Sequence, residues 1–96
     1  MDKLRNESTD LLFESILTLK SVDECYSFFE DICTIKEIQS IAQRVVVAKM
    51  LTEGSVYSDI VEATGASTAT ISRVNRSLNY CSDGYKIAFK RLEEQK

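Results

Sequence analysis

The chain of 96 residues has no proline, no histidine and only three glycines. Without proline the strongest helix breaker is missing. Gly54, Gly65 and Gly84 all fall between segments of helical period, which is where glycine punctuates helices. An all-α chain follows. Three cysteines (Cys25, Cys33, Cys81), no Cys-x-x-Cys pair and no histidine leave a zinc ion three thiolates and a carboxylate at best, so no metal site is expected. The odd cysteine number fits free thiols in a reducing compartment, with Cys25 and Cys33 as small core residues. Neither a nucleophile elbow nor a phosphate loop is present, so the reading is of a protein that is not an enzyme, with no catalytic residue. Residues Met1 to Glu7 lack the apolar core of a signal peptide, and no apolar run is long enough to span a membrane. The expected location is cytoplasmic.

What is present is unevenly distributed. The formal net charge is −3. Residues 1–43 hold nine acids against four bases, a net of −5, and residues 44–96 hold eight bases against six acids, a net of +2. Between Glu62 and Asp83 there is no acid at all. Overlapping that gap, Ile60 to Leu78 reads as a short helix, a glycine turn and a second helix. Gly65 stands where the chain must leave the first helix in a left-handed conformation, and Ser67 stands as N-cap of the next. Ile71, Val74 and Leu78 recur at spacings of three and four and form an inward stripe. The opposite face offers Thr68, Ala69, Ser72, Arg73 and Arg76, which are small, hydrogen-bonding or cationic. This is the pattern of a helix-turn-helix, whose second helix enters the major groove of double-stranded DNA.

The remaining helices follow from caps and period. Helix 1 is expected from about Ser8 to Leu19, with Leu12, Ile16 and Leu19 on one face. Ser21 and Glu24 form a capping box opening helix 2, whose apolar residues cover more than half its circumference. Such a helix is buried on more than one side or meets another chain. A second box, Thr34 and Glu37, opens the longest helix, about residues 35–53, with Ile38, Ile41, Ala42, Val45, Ala48 and Met50–Leu51 as its core stripe. At ~1.5 Å per residue it is roughly 28 Å long. Val45-Val46-Val47 is locally strand-like, but the wider helical period overrides it. Helices over about 57–64, 68–79 and 84–94 complete one domain of 96 residues. Residues 1–53 are read as dimerisation and core helices, 57–79 as the helix-turn-helix and 84–94 as the C-terminal helix. A chain this short buries little surface alone, which favours a shared core.

These residues resemble the tryptophan repressor family, most closely its YerC/YecD-type branch. The likeness spans about residues 30–92 and rests on Thr34-x-x-Glu37, Ala42-Gln43-Arg44, Leu51-x-x-Gly54, the run Thr64-Gly65-Ala66-Ser67-Thr68-Ala69-Thr70-Ile71-Ser72-Arg73, and Ser77-Leu78. The resemblance implies a six-helix, intertwined homodimer that regulates transcription, acting as a repressor on a near-palindromic operator. By position it assigns Ser67, Thr68, Ala69, Thr70, Ser72, Arg73 and Arg76 to DNA, with Thr68 and Ser72 at base edges, Ala69 against a thymine methyl, and Arg76 and Lys90 at phosphates. It also implies an effector pocket at Thr34, Arg44, Arg73, Val74 and Ser77. Tryptophan-binding members have glycine where Val74 stands, and forcing three extra carbons against a packed site typically costs ~1–3 kcal/mol. The segment from Gly54 to Gly65 is also one residue shorter than in those members. A corepressor other than tryptophan, or none, is therefore expected. The alternative is a helical dimer that serves as a protein–protein interaction module, its acidic N-terminal half facing the partner and its helix-turn-helix kept as scaffold.

Overall fold

The computed structural model describes residues 3–96. Among them are six helices and no strand: α1 (Glu7–Leu17), α2 (Val22–Ile32), α3 (Ile35–Thr52), α4 (Tyr57–Thr64), α5 (Thr68–Tyr80) and α6 (Gly84–Glu94). Two compact units divide the chain, one running to Ile35 and one from Lys36 onward. No described helix is long and apolar enough to cross a membrane.

Side-chain caps set the helix starts in the first unit. Asn6 is extended, and its Oδ1 accepts the Thr9 amide at 2.8 Å, so α1 begins at Glu7, one residue before the expected start. The helix also ends early. The Thr18 amide bonds the carbonyls of Ser15 and Ile16, and the Thr18 hydroxyl donates to Ser15 O at 2.6 Å, which closes the last turn before Leu19. Ser21 caps α2 by accepting the Glu24 amide at 3.1 Å. The return bond of the expected box is displaced by one residue, because the Glu24 carboxylate accepts from the Lys20 amide at 2.9 Å. Neither α1 nor α2 has a buried residue. Phe28 and Phe29 meet edge to face with centroids 5.7 Å apart, while Leu11 and Leu17 are 65% and 83% exposed.

The second unit holds the core. Val47 and Ala48 from α3, Ile60 from α4, Ala66 from the turn, and Ile71, Val74 and Leu78 from α5 are all buried. Met50, Leu51, Tyr85 and Phe89 pack against them partly buried. Each fully buried aliphatic side chain of this kind stabilises the fold by about 1.5–3 kcal/mol relative to an exposed one. The helical reading of Val45-Val46-Val47 holds, but the core stripe of α3 differs from expectation. Ile41 and Val45 remain 46% and 42% exposed, and Val47 is buried instead. At ~100° per residue, Val47, Ala48 and Leu51 share the face turned to this core, whereas Ile41 and Val45 lie on another.

Each glycine stop has a hydrogen-bonding reason. After α3, Gly54 is left-handed (φ +84°), its amide bonds Leu51 O at 3.1 Å, and the Ser55 amide bonds Met50 O at 3.0 Å, a Schellman closure. Gly65 is left-handed (φ +73°), with its amide on Val61 O at 2.9 Å. Asp83, unusually for a residue with a Cβ, is left-handed as well (φ +65°), and it precedes α6 with Lys86 Nζ 3.6 Å from its carboxylate. Within the second unit α6 is fixed to α3 by Lys49 Nζ, 5.4 Å above the Phe89 ring, and Phe89 in turn stacks on Tyr85.

Candidate nucleic-acid interface and ligand cavity

The turn between α4 and α5 is tied at both ends. Thr64 Oγ1 donates to Ile60 O at 2.7 Å and accepts the Ala66 amide at 3.1 Å. From α3, Gln43 Nε2 donates to Thr64 O at 3.1 Å, so the long helix holds the turn directly. Ala66, buried beneath it, leaves Gly65 and Ser67 outside. Ser67 then caps α5, its Oγ accepting the Thr70 amide at 3.1 Å and donating to Thr70 Oγ1 at 3.1 Å. One free amide of the helix start, that of Thr70, is thereby satisfied beside a fixed turn.

Burial sorts the α5 side chains into two faces. Ile71, Val74 and Leu78 point into the core. Thr68, Ala69, Ser72, Arg73 and Arg76 are exposed, and Ser67 beside them is exposed as well, while Thr70 is half-buried. No acidic residue occurs in α5. Neither the Arg73 nor the Arg76 guanidinium has an ion-pair or hydrogen-bond partner among the described residues, and Lys90 on α6 is exposed. The helix therefore presents an uncompensated positive face of small residues. With its positive dipole end at Ser67–Thr70 and no acid in the first turn, that face suits an anionic surface.

On the flank of the same helix lies a cavity of about 410 Å³. Arg44, Arg73, Val74 and Ser77, four of the expected pocket residues, all line it. Thr34 belongs to the first unit, whereas the cavity lining comes entirely from the second. Ser40, Gln43, Thr70 and Tyr85 also line it. Of these, Ser40 had a readable signal, since it lies four residues before Arg44 on one helix and accepts from Arg44 Nη2 at 3.2 Å. Tyr85 had none, because only the packing of α6 brings it there. Val74 contributes to the cavity wall while 98% of its surface is covered (2% exposed), so it belongs to the core as well.

Against this geometry, comparison with known proteins is decisive. The family model "Trp repressor protein" matches residues 7–93. The chain belongs to the Trp repressor family. Among its relatives is the uncharacterized protein YerC of Bacillus subtilis, 60% identical over 94 residues that cover 98% of this chain and 90% of YerC. The crystal structure of a TrpR-like protein from Eubacterium eligens is 60% identical and superimposes with a TM-score of 0.94, covering 97% of this chain and 96% of that one. A second solved structure, of a protein from Staphylococcus aureus, is 51% identical with a TM-score of 0.92 over 96% of this chain and 92% of its own. The six-helix fold is thus that of the Trp repressor family, with the family match beginning at the first residue of α1.

Proposed function

We propose that this member of the Trp repressor family is a sequence-specific DNA-binding regulator that acts as a homodimer, most simply as a repressor. The observation that carries the reading is the α5 face: acid-free, unpaired in its cations, and rigidly oriented by the Ser67 cap and the Gln43–Thr64 tie. Small side chains at Thr68, Ala69 and Ser72 permit close approach to base edges, and Arg73 and Arg76 supply charge beside them. Ser67 and Thr70 sit at the helix start, where backbone and hydroxyl groups reach phosphate. Lys90 adds a further cation for the backbone.

Dimerisation is supported by the apolar surface that a single chain leaves open. On α1 and α2, Leu11, Phe13, Leu17, Tyr26 and Ile32 are all exposed, and α3 adds Ile41, Val45 and Val46. Scattered apolar residues are ordinary on surfaces, but two helices with no buried residue at all are not a stable arrangement in water. A second copy covering these faces would give both chains a core and would set two α5 helices about one DNA turn apart, roughly 34 Å, for a near-palindromic site. An effector site is supported by the cavity that Arg44, Arg73, Val74 and Ser77 line together.

The test is selection from a random duplex library by the purified protein at about 150 mM salt. A symmetric enriched motif is the expected outcome. No enrichment, with the dimer intact, would move the weight to a protein-interaction module.

A further inference from the structure

One hydrogen bond of the second unit joins elements that lie far apart in the chain. The side chains of Arg44, Thr52, Ser77 and Asn79 each bond a partner three or four residues away on their own helix. Gln43 Nε2 instead crosses 21 residues, from the long helix to the carbonyl of Thr64, the last residue of α4. Gln43 is itself placed by the core, because Val47, one turn further along α3, is fully buried. Both partners of the bond are half-buried. A carbonyl in that position is costly to leave without a donor.

Thr64 is a junction of three bonds. Its carbonyl accepts from Gln43, and its Oγ1 donates to Ile60 O and accepts from the Ala66 amide. The long helix, α4 and the turn into α5 therefore meet on one residue. The other anchors of this turn, Ile60 and Ala66, are apolar. Apolar contact is non-directional and fixes burial rather than angle. Since α4 has only eight residues and a single buried one, Ile60, that contact alone leaves the helix free to swing about it. The bond at Thr64, one turn and roughly 6 Å further along, adds a constraint with a direction. We propose that Gln43 is a positioning residue, setting the angle at which the α4–α5 turn, and with it the outer face of α5, is carried on α3. The consequence for DNA rests on the function proposed above; the ordering of the turn does not. Base-edge contacts depend on orientation, whereas attraction to phosphates tolerates a range of angles. Removing the Gln43 donor should therefore lower affinity for a specific site and leave non-specific affinity in place. A residue that merely stabilises the fold would lower both by one factor, because both follow the folded fraction.

The test uses the full chain with Gln43→Met, which keeps the length of the side chain and removes its donor. Amide hydrogen exchange followed by NMR needs no DNA. The amides of Gly65 and Ala66 bond Val61 O and Thr64 Oγ1. They should exchange roughly 3- to 10-fold faster in the variant, the scale of one hydrogen bond, while those of Ile71, Val74 and Leu78 keep their rates. Gln43→Glu, which turns an acceptor toward the same carbonyl, should loosen the turn at least as much. Unchanged exchange at the turn in both variants overturns the proposal. Uniform acceleration through α5 overturns it as well, since Gln43 would then serve overall stability. In a second arm, fluorescence anisotropy compares a selected duplex with a scrambled one of the same length. Gln43→Met should bind the selected duplex roughly 3- to 10-fold more weakly and the scrambled one equally well, with an unchanged salt dependence because no phosphate contact is lost. Equal losses on both duplexes, or a loss on neither, overturn the positioning role. If the unaltered chain does not distinguish the two duplexes, the proposed function fails, and hydrogen exchange alone decides whether Gln43 holds the turn.

Discussion

The unit from Lys36 onward contains every buried apolar side chain of the core, and α1 and α2 contain none. Both regions are rich in apolar residues and both have well-formed caps, so neither composition nor local hydrogen bonding explains the contrast. What differs is where the apolar faces find partners. In the second unit, α3, α4 and α5 close on one another around Ile60 and Ile71. In the first, two helices of eleven residues each expose Leu11, Phe13, Leu17 and Tyr26. Isolated helices of that length are marginal in water, which is the ground for the second copy proposed above. Caps determine where a helix starts; burial determines whether it persists.

The largest effect should come from attacking that open surface. Phe13→Asp changes a side chain that is half exposed in one chain, and on a monomer's surface such a change is worth within ~0.5 kcal/mol. If a second copy covers it, an unpaired carboxylate is buried, and several kcal/mol of assembly energy should be lost. Sedimentation velocity at micromolar concentration is expected to show a dimer for the unaltered chain and a monomer, with reduced helicity, for Phe13→Asp. A monomer in both would remove the explanation offered for the contrast. Next in size is Ile71→Ala, which empties the centre of the second unit and should cost about 2–5 kcal/mol in chemical denaturation. A loss below 1 kcal/mol would mean that the core drawn around α5 is not what holds this unit.

Arg73→Ala sharpens the contrast within α5 itself. Its side chain is exposed and unpaired, so melting temperature should stay nearly unchanged while DNA affinity falls by about 1–3 kcal/mol. Unfolding on this substitution would make Arg73 structural and would weaken the separation of the helix into a packed face and a reading face. Arg76→Ala is expected to act more mildly, lowering affinity evenly across sequences and reducing the salt dependence by about one counterion.

Legibility followed the same division. The spans of α4 and α5 could be read closely because Gly54, Gly65 and Ser67 mark them with residue types that few other conformations call for. Burial of Ile71, Val74 and Leu78 followed from one apolar stripe with no competitor. On α3 two stripes compete, Ile41–Val45 and Val47–Ala48–Leu51, and period alone does not say which one meets its own chain. The early end of α1 depended on the Thr18 hydroxyl turning back on Ser15, a local alternative to the ladder that the apolar pattern does not encode. For the cavity, Arg44, Arg73, Val74 and Ser77 came from the family resemblance. Ser40 was available at helical spacing from Arg44, and Tyr85 required the docking of α6.

The smallest expected effect bears on orientation rather than mass of core. Ser67 is exposed and buries nothing, yet its Oγ accepts the Thr70 amide and its hydroxyl meets Thr70 Oγ1. Ser67→Ala should cost about 1 kcal/mol, the usual worth of an N-cap, and Ser67→Asp should recover most of it, since a carboxylate both caps the amides and complements the helix dipole. The two substitutions should part company on DNA. Aspartate restores stability but places a negative charge at the start of the one helix that has no acid, next to the phosphates it is proposed to meet. Stability recovered with affinity lost in Ser67→Asp would locate the nucleic acid at the α5 N-terminus independently of any arginine. Affinity recovered along with stability would place it elsewhere on the molecule.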